Sequence, residues 1–160
     1  MLALRPVALA LLASIVVGCG GAAATSPAPA PVAADDVTAV LRVVERWRQA
    51  HEVRSLEALA PLYAHGKDLV VTRQGVPVVG WDAVERELRT RLESVTSLRL
   101  RLDATRVEVV GGGAVVTAEV SREASGGATV VNEVGVVTLV IAPADEHGLI
   151  VSEHYSFGGR

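Results

Sequence analysis

The sequence predicts an α+β domain, three helices and then a curved antiparallel sheet, set behind an export signal and a tether. Three observations carry this. The first 34 residues hold an apolar run and then an uncharged Ala/Pro stretch. Residues 35 to about 95 carry apolar groups at helical spacing, interrupted by two short strand candidates. From Ser97 onward the period changes to two.

The export signal comes first. Arg5 gives a positive start, and Val7 to Val17 form an apolar run that ends at Gly18-Cys19. That run is the length of a signal-peptide core and well short of the roughly 20 residues a membrane-spanning helix needs. Val16-Val17-Gly18-Cys19 resembles the lipobox of bacterial lipoproteins. The resemblance implies cleavage after residue 18 and lipid on Cys19, holding the chain at the periplasmic face of the outer membrane or at the cell surface. The chain has one cysteine, so no intramolecular disulfide can form. Residues 19–34 are then the lipidated cysteine and its tether, in which Pro-Ala-Pro-Ala-Pro favours an extended conformation.

Residues 35–160 are enough for one domain with its own core. The chain carries 15 basic and 18 acidic residues, so no basic footprint for nucleic acid is present. In the first helix Asp35-Asp36 can cap, and Val37, Val40, Leu41, Val44 and Trp47 form one apolar face. Ser55 caps a second helix containing Leu56, Leu59, Leu62 and Tyr63, which Pro61 should kink. Asp68 to Arg73 and Val76 to Val79 are short strands around a Gln74-Gly75 turn. Asp82 and Glu85 resemble a capping box for a third helix, whose face is Val84, Leu88, Leu92 and Val95.

Leu98, Leu100 and Leu102 then alternate with polar residues. The apolar phase slips at Val107 and Val109, which calls for a bulge near Ala104–Arg106. Ala114 to Glu123, Thr129 to Ile141 and Leu149 to Phe157 are the remaining strands. Val130-Val131, Val136-Val137 and Leu139 to Ile141 put apolar groups on both faces of the sheet. A second copy of the chain, a homodimer through the sheet, is the simplest cover for the outer face.

Three segments in this order resemble the nuclear transport factor 2-like superfamily, and in particular its SnoaL-like branch. They are Ser55 to Tyr63, Val79-Gly80-Trp81-Asp82-Ala83-Val84, and Gly148 to Ser156, and the resemblance spans residues 36–157. It implies a cone-shaped fold with a pocket between helices and sheet. Members include isomerases, cyclases, dehydratases and non-catalytic binding domains, so fold leaves function open. Two departures weigh against catalysis. Leu149 stands where an aromatic residue is common, and the second helix offers only Glu57, on its solvent side, in place of a recognisable base.

The candidate pocket residues are Trp47, Tyr63, Glu133 and His154. His154 shares strand parity with Ile150, Ser152 and Ser156. It is either a general base or ligand contact within the cone, or a histidine tied to a neighbouring element. Tyr63 is a hydroxyl donor or a residue at the core rim. Glu133 is an acid of raised pKa or the partner of an arginine such as Arg122. Trp47 and Trp81 are also core candidates. His51, His65 and His147 sit at element ends or in loops, and most of them are expected to be solvated. No ligand spacing points to a metal, and no motif calls for a cofactor. The leading expectation is a lipid-anchored domain that binds a small apolar ligand or another envelope protein without catalysis. The alternative is a proton-transfer enzyme with His154 as base and Tyr63 as donor.

Overall fold

A computed structural model of the protein describes residues 34–144 and 148–158. Cys19, the signal segment, the tether up to residue 33 and His147 lie outside the described residues. Among the described residues no helix is long and apolar enough to cross a membrane.

Helix α1 (Ala34–Glu52) begins before the acidic pair expected to cap it. Its buried stripe is Val43, Val44, Trp47, Ala50 and His51, while Leu41 is exposed. The apolar face is thus rotated from the expected one and extends a full turn further, through His51. Two charged residues on α1 also fasten it to the sheet. Glu52 accepts a hydrogen bond from the backbone N–H of Leu100 (2.9 Å) and pairs with Arg48, which donates to the Leu100 carbonyl. Leu100 belongs to an edge strand, so these bonds satisfy groups that would otherwise template aggregation.

Ser55 caps α2 (Leu56–Leu59) by accepting from the Ala58 N–H at 3.1 Å. The helix lasts one turn and passes into a 3-10 turn, Ala60–Leu62, that contains Pro61. Strands β1 (Val70–Arg73) and β2 (Val76–Val79) form the expected hairpin, with β1 starting two residues later than Asp68. Helix α3 (Trp81–Glu93) buries Val84, Leu88 and Leu92 as predicted. Its cap differs from the expectation. Gly80, at φ 83°, occupies the cap position without a side-chain bond, and Glu85 pairs with Arg89 instead of reaching back to the first turn.

Four long strands follow: β3 (Ser97–Val110), β4 (Gly113–Gly126), β5 (Thr129–Ala142) and β6 (Leu149–Phe157). The sheet order is β2-β1-β6-β5-β4-β3. It is antiparallel throughout except where β1 lies parallel to β6, a pairing the sequence reading did not include. The bulge in β3 falls between Asp103 and Arg106, with Ala104 at φ 49°. It moves the inward set from Leu98, Leu100 and Leu102 to Val107 and Val109, as the phase slip required.

A second bulge decides the orientation of the last strand. Ile141 pairs with Ile150, but Val140 pairs with Ser152, leaving Val151 unmatched. Parity therefore reverses after Ile150, and Glu153, Tyr155 and Phe157 turn inward while His154 turns out. Gly135 is required where β5 meets the end of β6, because a Cβ there would lie 2.1 Å from the Ser156 carbonyl oxygen.

The core lies between α1, α3 and the concave face of the sheet, with Trp47, Tyr63, Leu88, Leu139, Ile150 and Tyr155 at its centre. Trp81 packs against it while half-buried. On the outer face Val130, Val134 and Val136 remain exposed.

Candidate functional site

Between α3 and strands β3, β4 and β5 lies a cavity of about 310 Å³. Leu88, Leu92, Leu98, Leu100, Ala124 and Val131 supply its apolar walls, from α3, β3, β4 and β5. Into this apolar shell project His51 from α1, Arg73 from β1, Arg91 from α3, Arg122 from β4 and Tyr155 from β6. A largely apolar cavity with a few convergent polar groups is the usual form of a small-molecule site.

Behind the wall runs a buried polar network. Glu153 is 0 % exposed, and a carboxylate so placed must be paired to be tolerated. One oxygen accepts from the Tyr63 hydroxyl and from the Trp47 indole N–H, the latter at 3.1 Å. The other accepts from the Arg73 guanidinium at 2.7 Å. The Trp47 N–H also lies 2.9 Å from the Tyr63 oxygen. Burial, together with the Glu153 charge, pushes the Tyr63 hydroxyl well above its ordinary pKa, so it stays protonated and donates. The Arg73 guanidinium lies 4.5 Å over the Tyr155 ring, and Tyr155 stacks in turn on Phe157.

His51 is the one imidazole on the cavity wall among the described residues. Its Nδ1 donates to the Trp47 carbonyl at 2.9 Å, a partner that can only accept. Nε2 therefore carries the lone pair, and it is buried without a partner among the described residues. Burial first, and then the charges of Arg73 and Arg91, lower the His51 pKa to about 4. The ring packs against the Trp47 indole with centroids 4.5 Å apart.

The four sequence candidates fall in different places. Trp47 and Tyr63 are fully buried behind the cavity wall, not on it. Glu133 faces the same side of the sheet, forms an ion pair with Arg122, and leaves Arg122 on the wall. His154 is exposed on the outer face, because the bulge at Val151 reverses the parity on which its inward placement rested. His51, one of the histidines mostly expected to be solvated, is 6 % exposed and lines the cavity. The residues missed were His51, Arg73, Arg91, Tyr155 and the buried Glu153. For His51 a signal existed, since it follows Trp47 by four positions on the helix. For the arginines none did. Among the described residues no cluster of His, Cys, Asp and Glu could hold a metal.

Similar architectures are found among solved structures. A candidate dehydratase of the NTF2-like family from Streptomyces avermitilis superposes with a TM-score of 0.72 at 19% identity, over 79% of this chain and 98% of the other. A candidate aromatic ring hydroxylase from Novosphingobium aromaticivorans gives 0.73 at 16% identity, over 81% and 93%. An NTF2-like superfamily protein from Salmonella enterica gives 0.72 at 17% identity, over 79% and 93%. Identities this low establish the shared fold and nothing finer. No curated protein sequence matches the chain. The family model described as a SnoaL-like domain matches residues 40–158, which takes in the sheet, α3 and every residue of the cavity, and the chain belongs to that family.

Proposed function

We propose that this domain is a receptor for a small, largely apolar ligand, carried outside the cytoplasm on a lipid-modified Cys19. The observation behind the ligand is the cavity itself, a space of about 310 Å³ that the core side chains leave unfilled. Native mass spectrometry of the protein purified from its host tests this. The expected result is a bound small molecule in the wild type and its loss in Val131→Trp, which fills the cavity mouth. A ligand-free wild type, or equal retention by the variant, would count against a cavity receptor.

The geometry of His51 favours a second reading, proton-transfer catalysis in the same cavity. An imidazole whose Nδ1–H is held by a carbonyl presents Nε2 as a fixed acceptor, the form a general base requires. In that reading His51 replaces His154 as the base. Tyr63, spent on Glu153, no longer supplies a donor to the cavity. The name candidate dehydratase among the structural neighbours is consistent with such chemistry. Deuterium incorporation into the recovered ligand, dependent on His51, would favour the enzyme over the receptor.

The outer valines bear on assembly. We propose that a second copy of the chain covers Val130, Val134 and Val136, since an exposed apolar band on a long strand is otherwise a liability.

A further inference from the structure

Among the described residues three guanidinium groups line the cavity and no carboxylate does. Each arginine reaches the wall from a different element, Arg73 from β1, Arg91 from α3 and Arg122 from β4. Two of them are held from behind. Arg73 is bonded to Glu153 at 2.7 Å, and Arg122 is paired with Glu133. Aromatic rings support their faces, Tyr155 under Arg73 and Phe157 at 5.1 Å from Arg122. Arg91 is different. Its ion-pair partner is Glu87 at 3.8 Å, and that carboxylate lies nearer to Arg73, at 3.4 Å. One carboxylate thus serves two guanidiniums, and the Arg91 side chain donates no hydrogen bond among the described residues. Among the described residues the Arg122 Nε is buried without a hydrogen-bond partner, while the Arg73 Nε has only the 3.4 Å ion-pair contact to Glu87.

We propose that the cavity recognises an anionic head group, an oxyanion of the carboxylate or sulfonate class, on an apolar body, with Arg91 as its principal contact. This rests on the cavity being a ligand site. A guanidinium offers a planar fork of donors that matches a two-oxygen anion. The apolar wall of Leu88, Leu92, Leu98 and Val131 then takes the remainder of the molecule. The charge state of Arg91 agrees with this reading. Burial and then repulsion from Arg73 and Arg122 lower its pKa to about 10, a strain that a bound anion relieves.

Two fluorescent probes separate charge from shape. Anilinonaphthalene sulfonate and N-phenylnaphthylamine share one aromatic body, and only the first carries an anion. Both are titrated against the wild type, Arg91→Gln, Arg91→Lys and Val131→Trp. The expected result is that the sulfonate binds about tenfold or more tightly than the neutral probe, the scale of one charge-assisted hydrogen bond. That advantage should vanish in Arg91→Gln, survive in part in Arg91→Lys, and binding of both probes should fall in Val131→Trp. Equal affinities that Arg91→Gln leaves unchanged, with binding still lost in Val131→Trp, overturn the anionic head and leave the cavity receptor standing. Binding that Val131→Trp does not alter places the probes elsewhere, as on the outer valines, and overturns both. Arg91 is 37% exposed at its side chain, so its replacement leaves the core intact.

Discussion

Acidification should destabilise this domain through His51, by an amount its surroundings fix. The ordinary imidazole pKa of 6.5 is lowered to about 4 by burial, reinforced by Arg73 and Arg91 and opposed by Glu153. A depressed histidine pKa means that the unfolded chain takes up the proton first. The stabilisation is therefore present above about pH 6.5 and lost as the pH falls toward 4. At about 1.36 kcal/mol per unit the whole shift is worth ~3 kcal/mol. Roughly 2 kcal/mol of that is lost between pH 7 and pH 5, a large part of the stability of a small domain.

Carboxylates elsewhere also respond to acid, so the diagnostic quantity is a difference. His51→Asn keeps a donor near the Trp47 carbonyl and removes the titrating ring. Urea unfolding, followed by the fluorescence of Trp47 and Trp81, is measured for both proteins at pH 7, 6 and 5. The wild type should lose about 2 kcal/mol more than the variant across that range. The Nε2 lone pair is unpaired among the described residues, so no competing bond stabilises the charged ring. Parallel pH profiles, or an imidazole resonance titrating near pH 6.5 in the folded protein, would refute the argument. Either result would mean that water or an anion reaches the ring more freely than its 6 % exposure implies.

Four further outcomes follow from particular contacts. Tyr63→Phe removes a donor from the buried Glu153 carboxylate and should cost about 1–3 kcal/mol in urea unfolding, more than the same change at a solvated tyrosine. Gly135→Ala should lower the midpoint of thermal unfolding strongly, because its Cβ would meet Ser156 backbone at 2.1 Å, and backbone cannot swing away as a side chain can. Cys19→Ala should release the protein from membranes into the soluble fraction, and unchanged association after an alkaline wash would end the lipid-anchor proposal. Sedimentation velocity should show a dimer that Val134→Glu with Val136→Glu converts to monomer, and a wild-type monomer at tens of micromolar would leave the outer valines unexplained.

Much of the fold could be read because each signal was local. The slip from Leu102 to Val107 is visible in sequence because strong apolar residues flank it on both sides, and the β3 bulge lies where the slip does. The β6 bulge hides for the opposite reason. Leu149, Ile150 and Val151 are all apolar, so no phase is marked before the slip. After it, the inward position is first occupied by a glutamate. The pair Tyr155 and Phe157, two aromatics on one parity, was the available sign that the even residues face outward. Parity with Ile150, carried unbroken across Val151, put His154 on the inward face instead. The β1–β6 pairing and the arginine cluster had no local sign, since each joins segments far apart in the chain.

His51 and Glu153 show why the candidate site resisted sequence reading more than the fold did. A histidine in the last turn of a helix and a glutamate in a strand are, by composition, surface residues. Their burial is a property of what the tertiary fold brings over them. The same fold makes them interdependent. Glu153 never meets the cavity, yet it holds Arg73 against Tyr155, and its charge bears on His51 from behind the wall. The cavity's charge pattern is thus set from inside the core, by a carboxylate that also ties Tyr63 and Trp47 together. A substitution at Glu153 cannot separate stability from recognition. Arg91, whose guanidinium is held by no hydrogen bond among the described residues and which is partly exposed on the cavity wall, is the position where recognition can be altered while the core stays as it is.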